Sequence, residues 1–349
     1  MQGEWNDKIF KVNDNNFEPL ALEIFRFQYS NNAIYRSYIQ ALKVDVSSVL
    51  TLAKIPFLPI SFFKSYPVQS GEFEPQAIFE SSGTTSSEKS QHRIRYLSLY
   101  EQSFLKGFEL IYGPITDWCI IGLLPSYLER ENSSLVYMVN KLIQLSRKLQ
   151  SGFYLDDYDK LINTINEVET KQQKTLLIGV SFALIDFAEK YFSSVHRRQL
   201  LHTTIMETGG MKGRKQEILR QELHEFLQEK FEIDVIHSEY GMSELLSQAY
   251  SIKKGIFHCP PWMKILIRDE EDPLNVQSGV LSSESGVGVP LTTQHSPLTG
   301  GINIIDFANI YSCSFIATDD VGKLYPGGSF EVLGRMDGSD LRGCSLLVL

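Results

Sequence analysis

The chain has 349 residues, 43% of them hydrophobic, and a formal net charge of -9 at pH 7. This length and apolar content are enough for one large domain or two ordinary ones, each with a buried core. The acidic balance argues against nucleic-acid binding, and the lack of a leader-like N-terminus or a long apolar run argues against secretion and a membrane span, so we expect a cytoplasmic protein.

The first seventy or so residues predict helices and connections, because "LALEIFRFQY" and "YIQALKV" have helical apolar spacing. A proline-punctuated segment, "KIPFLPISFFKSYPV", then leads into the hydroxyl-rich stretch "FESSGTTSSEKSQH", residues 79–92. Such a stretch is typical of a solvated turn. It also suits a phosphate-binding loop, since a glycine frees the backbone and hydroxyls and Lys89 can donate to anions. It lacks the second glycine of a Walker A loop.

From residue 117 apolar strands alternate with amphipathic helices. The segments "DWCIIGLLP" and "KTLLIGV" predict strands, and "SSLVYMVNKLIQLSRKL" and "SFALIDFAEKYF" predict helices. The next unit repeats the plan with the strand "LHTTIMETGG", a helix from Gln216 to Lys230 and the strand "IDVIHSEYG". This alternation predicts parallel strands joined by crossover helices.

After about residue 260 the pattern changes to strands separated by turns, which predicts an antiparallel β-rich region. The segments are "MKILIRDEEDP", "GGINIIDF", "CSFIATDD", "GKLYPGG" and "SFEVLGRMD". The fold class is therefore α/β with a β-rich C-terminal part. We expect a large domain over residues 1–333, with a helical region to about 70, an α/β core to about 258 and the β-rich part beyond it, followed by a tail over residues 334–349.

Three further motifs carry candidate chemistry. "EYGMSE", residues 239–244, follows a predicted strand, and loops at the carboxyl ends of parallel strands bind ligands in α/β proteins. Its tyrosine could stack on a purine and Glu244 could hold Mg²⁺, although a helix start is an equal interpretation. "TDDVGKL" and "GRMDGSDLRG" offer an Asp for ribose hydroxyls and an Arg for phosphate, but alone they are ordinary turn sequences.

The order of these motifs resembles that of the adenylate-forming superfamily: a hydroxyl loop ending in Lys, "TGG", "YGMSE", "TDDVG" and "GRMD". The narrower resemblance is to the acyl-protein synthetases of the LuxE type. It is carried by "IPFLPISFFK", "SSGTTSSEKSQH", "TGGMKGRKQE", "CPPWMKILIRD" and "LGRMDGSDLRGCSLLV". It implies the large N-terminal domain of that fold without the usual small C-terminal domain, which disfavours an ordinary CoA ligase.

The resemblance also implies a function. An acid, expected to be a fatty acid, would react with ATP in the presence of Mg²⁺ to give acyl-AMP. The acyl group would then pass to a cysteine as a thioester for a partner protein such as a reductase. Aryl and short acids stay open as substrates.

The same resemblance assigns roles to individual residues. Those implied in catalysis are Lys89, Glu244 and Cys344, those implied in holding the metal are Glu244 and Thr85, and Asp337 matches a hinge position. Those implied in binding ATP are Ser81, Ser82, Gly83, Thr84, Thr85, Ser86, Lys89, Gly209, Gly210, Tyr240, Gly241, Met242, Ser243, Asp320 and Arg335.

Other interpretations stay open. The four cysteines have no CxxC spacing and are expected to be reduced thiols, and Cys344 could equally be a packing residue in a tail strand. Ser86 and Glu88 depart from the superfamily loop, which would fit a decayed, non-catalytic interaction subunit. A ligase acting on another thiol is a further alternative. Finally, Ser181 lies between a strand and a helix as in a serine hydrolase, although the flanking glycine pattern is incomplete.

Overall fold

A computed structural model describes residues 2–81, 89–124, 132–194, 197–209, 219–270, 272–277 and 296–336. The α-helices of these residues are α1 Gln2–Phe10, α2 Phe17–Asn31, α3 Ala33–Ala41, α4 Phe62–Ser65, α5 Leu97–Tyr112, α6 Ser134–Ser146, α7 Tyr158–Thr170, α8 Ser181–Ser193 and α9 Arg220–Phe231. Among them we find no helix with the length and apolar character needed to cross a membrane.

The strands of the described residues are β1 Leu58–Pro59, β2 Ala77–Glu80, β3 Gln91–Ile94, β4 Cys119–Leu123, β5 Gly152–Phe153, β6 Thr175–Gly179, β7 Thr203–Thr208, β8 His237–Tyr240, β9 Ala249–Ser251, β10 Met263–Arg268, β11 Val276–Gln277, β12 Leu298–Asp306, β13 Phe315–Leu324 and β14 Phe330–Arg335. The chain divides into two compact units. Among the described residues, unit 1 combines the chain up to Glu74 with the segment from His258, and unit 2 spans Pro75–Phe257.

Unit 1 is built on a sheet in the order β1-β13-β12-β10-β11, with β14 paired to β13. Only the short β1 pairs in parallel with its neighbour, and the other described pairs are antiparallel. This confirms the predicted antiparallel β-rich region. Helix α2 packs on this unit through Phe17, whose ring stacks on Phe307 with centroids 4.4 Å apart. Aromatic side chains from the N-terminal helices therefore close the core of the C-terminal sheet.

Unit 2 contains a sheet in the order β5-β4-β6-β7-β8-β9. The strands from β5 to β8 pair in parallel, and β9 adds an antiparallel edge. Every residue of β4 and β6 is buried, as expected for parallel strands covered on both faces. The alternating pattern thus predicted both the strand type and the crossover helices, and the α/β class is confirmed.

A separate hairpin in unit 2 holds the ends of the hydroxyl-rich stretch. Strands β2 and β3 pair antiparallel, and the register sets Glu80 opposite Gln91. The residues just inside this pair, Ser81 and Ser90, are therefore brought close together. The hairpin fixes both ends of the loop that the sequence singled out.

Candidate functional site

The motif-bearing loops of unit 2 follow the carboxyl ends of neighbouring strands. Strands β6, β7 and β8 are parallel, so their C-terminal ends lie at one edge of the sheet. Gly209 follows β7 with a φ of 68°, a left-handed conformation that favours glycine. The hydroxyl of Ser181, which follows β6, donates to the Gly209 carbonyl at 2.7 Å. Because Ser181 is only 3% exposed, it anchors this loop rather than presenting an open nucleophile.

The base of the hydroxyl-rich loop is closed by reciprocal hydrogen bonds. The Ser81 N–H donates to the Ser90 carbonyl at 3.1 Å, and the Ser90 N–H donates to Ser81 Oγ at 3.1 Å. Lys89 stands beside them, with Nζ 3.1 Å from Glu80 Oε2 and half of its side chain exposed. The predicted loop residues Ser82, Gly83, Thr84, Thr85 and Ser86 lie outside the described residues.

Glu244 lies next to this base and is fully buried. Its Oε1 accepts a hydrogen bond from the hydroxyl of Ser90, the residue that also bonds Ser81. The hydroxyl of Ser243 donates to the Glu80 carbonyl at 3.0 Å. Two motifs more than 150 residues apart, the hydroxyl-rich stretch and "EYGMSE", are therefore joined directly.

His92 adds a third connection between these motifs. Its Nδ1 lies 2.9 Å from the Ser243 carbonyl oxygen. Burial lowers the pKa of His92 to about 4, although the bond to Ser243 and the charge of Glu244 oppose the shift. The ring is thus neutral at pH 7, and Nδ1–H is the donor to that carbonyl. Ser90 and His92 lie inside the hydroxyl-rich stretch, but the sequence assigned neither of them a role; Ser90 immediately precedes β3 and His92 lies on it.

The rest of the "EYGMSE" segment is closely packed. The ring of Tyr240 is 8% exposed and lies in tilted contact with Phe257, centroids 5.8 Å apart. A Cβ on Gly241 would lie 2.4 Å from Glu239 Oε1, so a side chain is excluded there unless that carboxyl moves. The Met242 carbonyl accepts from the Leu245 N–H at 3.1 Å. Gly210, predicted beside the adenine, lies outside the described residues.

An ion-pair cluster supports the strand that ends at Gly209. Glu207 Oε1 accepts from Arg220 Nε at 3.2 Å and lies 3.6 Å from His224 Nε2. Burial alone would raise the pKa of Glu207, but the bond to His224 and the charge of Arg220 outweigh it and lower the pKa. The ionised carboxylate fixes the first turns of α9 against β7.

In unit 1, Asp320 and Arg335 face each other across the β13 and β14 pair. Arg335 Nε lies 3.6 Å from Asp320 Oδ1, and its Nη2 lies 2.9 Å from Asp319 Oδ2. Arg335 has only 7% of its side chain exposed. The structure thus brings together the Asp and Arg that two separate turn-like motifs supplied.

The structure describes three of the four cysteines. Cys119, Cys259 and Cys313 are free thiols, as expected. Burial raises the pKa of each of them, that of Cys313 to about 12, so all three stay protonated at neutral pH. Cys344 and the hinge position Asp337 lie outside the described residues.

The oxygen atoms of Glu244 and its neighbours suit a hard cation, and the hydroxyl groups among them suit a phosphate group. Glu244 supplies a carboxylate and Ser81 and Ser90 supply hydroxyls, which are the oxygen ligands that Mg²⁺ prefers. Over the described ranges, no group of three or more His, Cys, Asp or Glu side chains forms a preformed metal site. Bound Mg²⁺ is usually held by one or two protein carboxylates together with substrate phosphates and water.

Polar loops at the carboxyl edge of a parallel sheet are the arrangement in which α/β proteins bind ligands. The family model described as "Acyl-protein synthetase, LuxE" matches residues 7–349. The chain therefore belongs to the LuxE family of acyl-protein synthetases. This confirms the resemblance drawn from the motifs. A search of curated proteins gives no match.

Solved structures give weaker likenesses. The luciferase-like enzyme from the nonluminescent Zophobas morio mealworm is 15% identical, over 77% of this chain and 60% of that one, with a TM-score of 0.47. O-succinylbenzoate coenzyme A synthetase from Bacillus subtilis, in complex with ATP and magnesium ion, is 15% identical over 78% and 56%, with a TM-score of 0.46. Coronafacic acid ligase from Pectobacterium brasiliense is 14% identical over 70% and 46%, with a TM-score of 0.44. The chain spans about half the length of these structures.

Proposed function

We propose that the chain activates a carboxylic acid with ATP, giving acyl-AMP and pyrophosphate, and then carries the acyl group as a thioester on Cys344. The observation that supports this most directly is the junction of Ser81, Ser90 and Glu244 at the base of the hydroxyl-rich loop, in a chain of this family. Phosphate-binding donors and a metal-binding carboxylate are the two components that adenylation needs in one place.

In the first step a carboxylate oxygen of the acid attacks the α-phosphorus of ATP, and pyrophosphate leaves. Ser81, Lys89 and the loop residues Ser82, Gly83, Thr84, Thr85 and Ser86 would surround the phosphates. Lys89 would exchange its exposed bond to Glu80 for a phosphate oxygen, at little cost because surface ion pairs are weak. Glu244 and Thr85 would hold Mg²⁺, and bound Mg²⁺ would offset the negative charge of the phosphate oxygens.

The remaining predicted residues would hold the nucleoside. Gly209 and Gly210 would lie along the adenine, and the segment from Tyr240 to Ser243 would cover the purine and the α-phosphate. We infer from the family that Asp320 accepts hydrogen bonds from the ribose hydroxyls. Arg335, already held by Asp319, would reach the ribose or phosphate oxygens.

In the second step the Cys344 thiolate attacks the acyl carbonyl carbon of acyl-AMP. The bond from that carbon to the phosphate oxygen breaks, AMP leaves, and the thiol proton passes to solvent. The other three cysteines support this choice, because burial holds them as protonated thiols. We infer from the family that the acid is a fatty acid and that a partner such as a reductase receives the acyl group.

The test is ATP–pyrophosphate exchange across fatty, short and aryl acids, with Cys344→Ser and Glu244→Gln beside the wild type. We expect acid-dependent exchange that survives in Cys344→Ser and falls by about a hundredfold or more in Glu244→Gln. If no acid supports exchange and ATP does not shift the melting temperature, the proposal is wrong and a non-catalytic interaction subunit accounts better for the chain.

A further inference from the structure

A buried carboxyl group joins the ends of β7 and β8. Glu239 is 8% exposed and lies opposite Thr208 in the register of these strands. The hydroxyl of Thr208 donates to Glu239 Oε2. Thr208 is the last residue of β7, and Glu239 is the last but one of β8. The bond therefore ties together the points from which two motif-bearing loops depart.

The second oxygen of the same carboxyl group lies under the next loop. Glu239 Oε1 occupies the space that a Cβ of Gly241 would need, at 2.4 Å from that position. The side chain of Gln248 borders the same space, with Cγ at 3.4 Å. One carboxyl group thus contacts both the end of β7 and the backbone that leads to Ser243 and Glu244.

Glu239 is surrounded by other titratable groups. Of these groups and Glu239, only Glu239 changes its charge near neutral pH. Tyr100 from α5 and Tyr250 from β9 have pKa values raised by burial and by the charge of Glu239, so both stay protonated. Burial raises the pKa of Glu239 itself to about 7; the bond from Thr208 opposes the shift, and the charge of Glu207 adds to it. Glu207 has a lowered pKa and stays ionised. His237, on the same strand, stays neutral because burial lowers its pKa to about 4.

We propose that Glu239 is a positioning residue that sets the Tyr240–Glu244 segment through Thr208 and Gly241, and that adenylation requires its ionised form. The inference rests on the proposed function. An ionised carboxylate offers two acceptor oxygens, one for the Thr208 hydroxyl and one for the Cα–H face of Gly241. Protonation replaces one acceptor by a donor that must find a new partner. The segment that carries Glu244 then loses its defined support.

The experiment is the pH profile of kcat/KM for ATP in the exchange assay, measured with the full chain from about pH 5.5 to 9. In the wild type we expect activity to rise about tenfold per pH unit and to level off near pH 7. Glu239→Gln keeps the shape but cannot ionise, so it should lack this inflection. Thr208→Val removes the bond that favours the ionised form and should move the inflection to higher pH. The conservative Thr208→Ser should keep the inflection near that of the wild type.

Two outcomes would overturn the inference. One is an unchanged inflection in Glu239→Gln. The other is a loss in Glu239→Gln and Thr208→Val that is equal at every pH and follows the loss of melting temperature, which is what a merely structural role predicts. If the wild type shows no exchange at all, the proposed function is wrong instead. Infrared titration of the buried carboxyl, with Glu239→Gln as the blank, then shows separately whether Thr208 and Glu239 are coupled.

Discussion

At the scale of single residues, burial sets the charge of the groups around the "EYGMSE" segment. His92 is neutral at pH 7 and donates to the Ser243 carbonyl, while Glu239 changes charge near neutral pH. Gly241 must lack a side chain because the Glu239 carboxyl fills the space beside it. The sequence predicted that the "EYGMSE" segment belongs to the site, but not the contacts that His92 and Glu239 make with it. Spacing along the chain does not show that His92 and Ser243, 151 positions apart, meet in space.

The charge of Glu239 should also be visible in stability. Burial raises its pKa from 4.5 to about 7, so its contribution to stability is present below about pH 4.5 and is lost as the pH rises through 7. Between pH 5 and 8 we therefore expect the wild type to lose up to about 3 kcal/mol of unfolding free energy relative to Glu239→Gln. Urea denaturation of both proteins over this range measures it. Parallel stability curves would show that Glu239 keeps its ordinary pKa.

At the scale of elements, the continuous apolar runs predicted the strands that they form. Short segments and segments without a capping signal did not predict the elements that they form. The continuous apolar runs gave β4 and β6, whose residues are all buried. Helix α5 was not predicted, because Tyr96 at its N-cap gives no capping signal. The hairpin strands β2 and β3 have four residues each beside a hydroxyl-rich stretch, too short for a periodic signal. The predicted break between "CSFIATDD" and "GKLYPGG" was wrong, since a register shift between Val321 and Gly322 lets β13 continue.

The junction of α7 with β7 gives an element-scale prediction. Glu169 is 7% exposed and accepts hydrogen bonds from the N–H groups of Leu201 and His202 and from the Thr203 hydroxyl, at 2.6 to 3.1 Å. Glu169→Ala leaves these donors without their acceptor, so we expect unit 2 to lose about 2–4 kcal/mol of unfolding free energy. Chemical denaturation followed by circular dichroism measures the loss.

The matched control is Glu167→Ala, on the same helix. Glu167 pairs with Lys171 at the surface, with 47% of its side chain exposed, so its removal should cost less than about 1 kcal/mol. If the two variants lose the same stability, Glu169 does not anchor the start of β7 as its hydrogen bonds indicate.

At the scale of the whole molecule, the sequence predicts an order of regions along the chain but not which of these regions pack together. The predicted changes at about residues 70 and 258 lie near the limits of unit 2, Pro75 and Phe257. Unit 1, however, joins the two sides of the chain that flank unit 2. Apolar periodicity shows which face of α2 is buried, but not that Phe17 packs on Phe307. The order of the motifs along the chain does not depend on which segments pack together. It could therefore indicate the family without any knowledge of the packing.

The most direct test of the proposed function is the intact mass of the protein after incubation with a fatty acid, ATP and Mg²⁺. We expect an ATP-dependent increase equal to the mass of the acid minus water, removed by hydroxylamine as a thioester should be and absent in Cys344→Ser. Wild-type protein that gains no acyl group from any acid, under conditions in which ATP is bound, would contradict it.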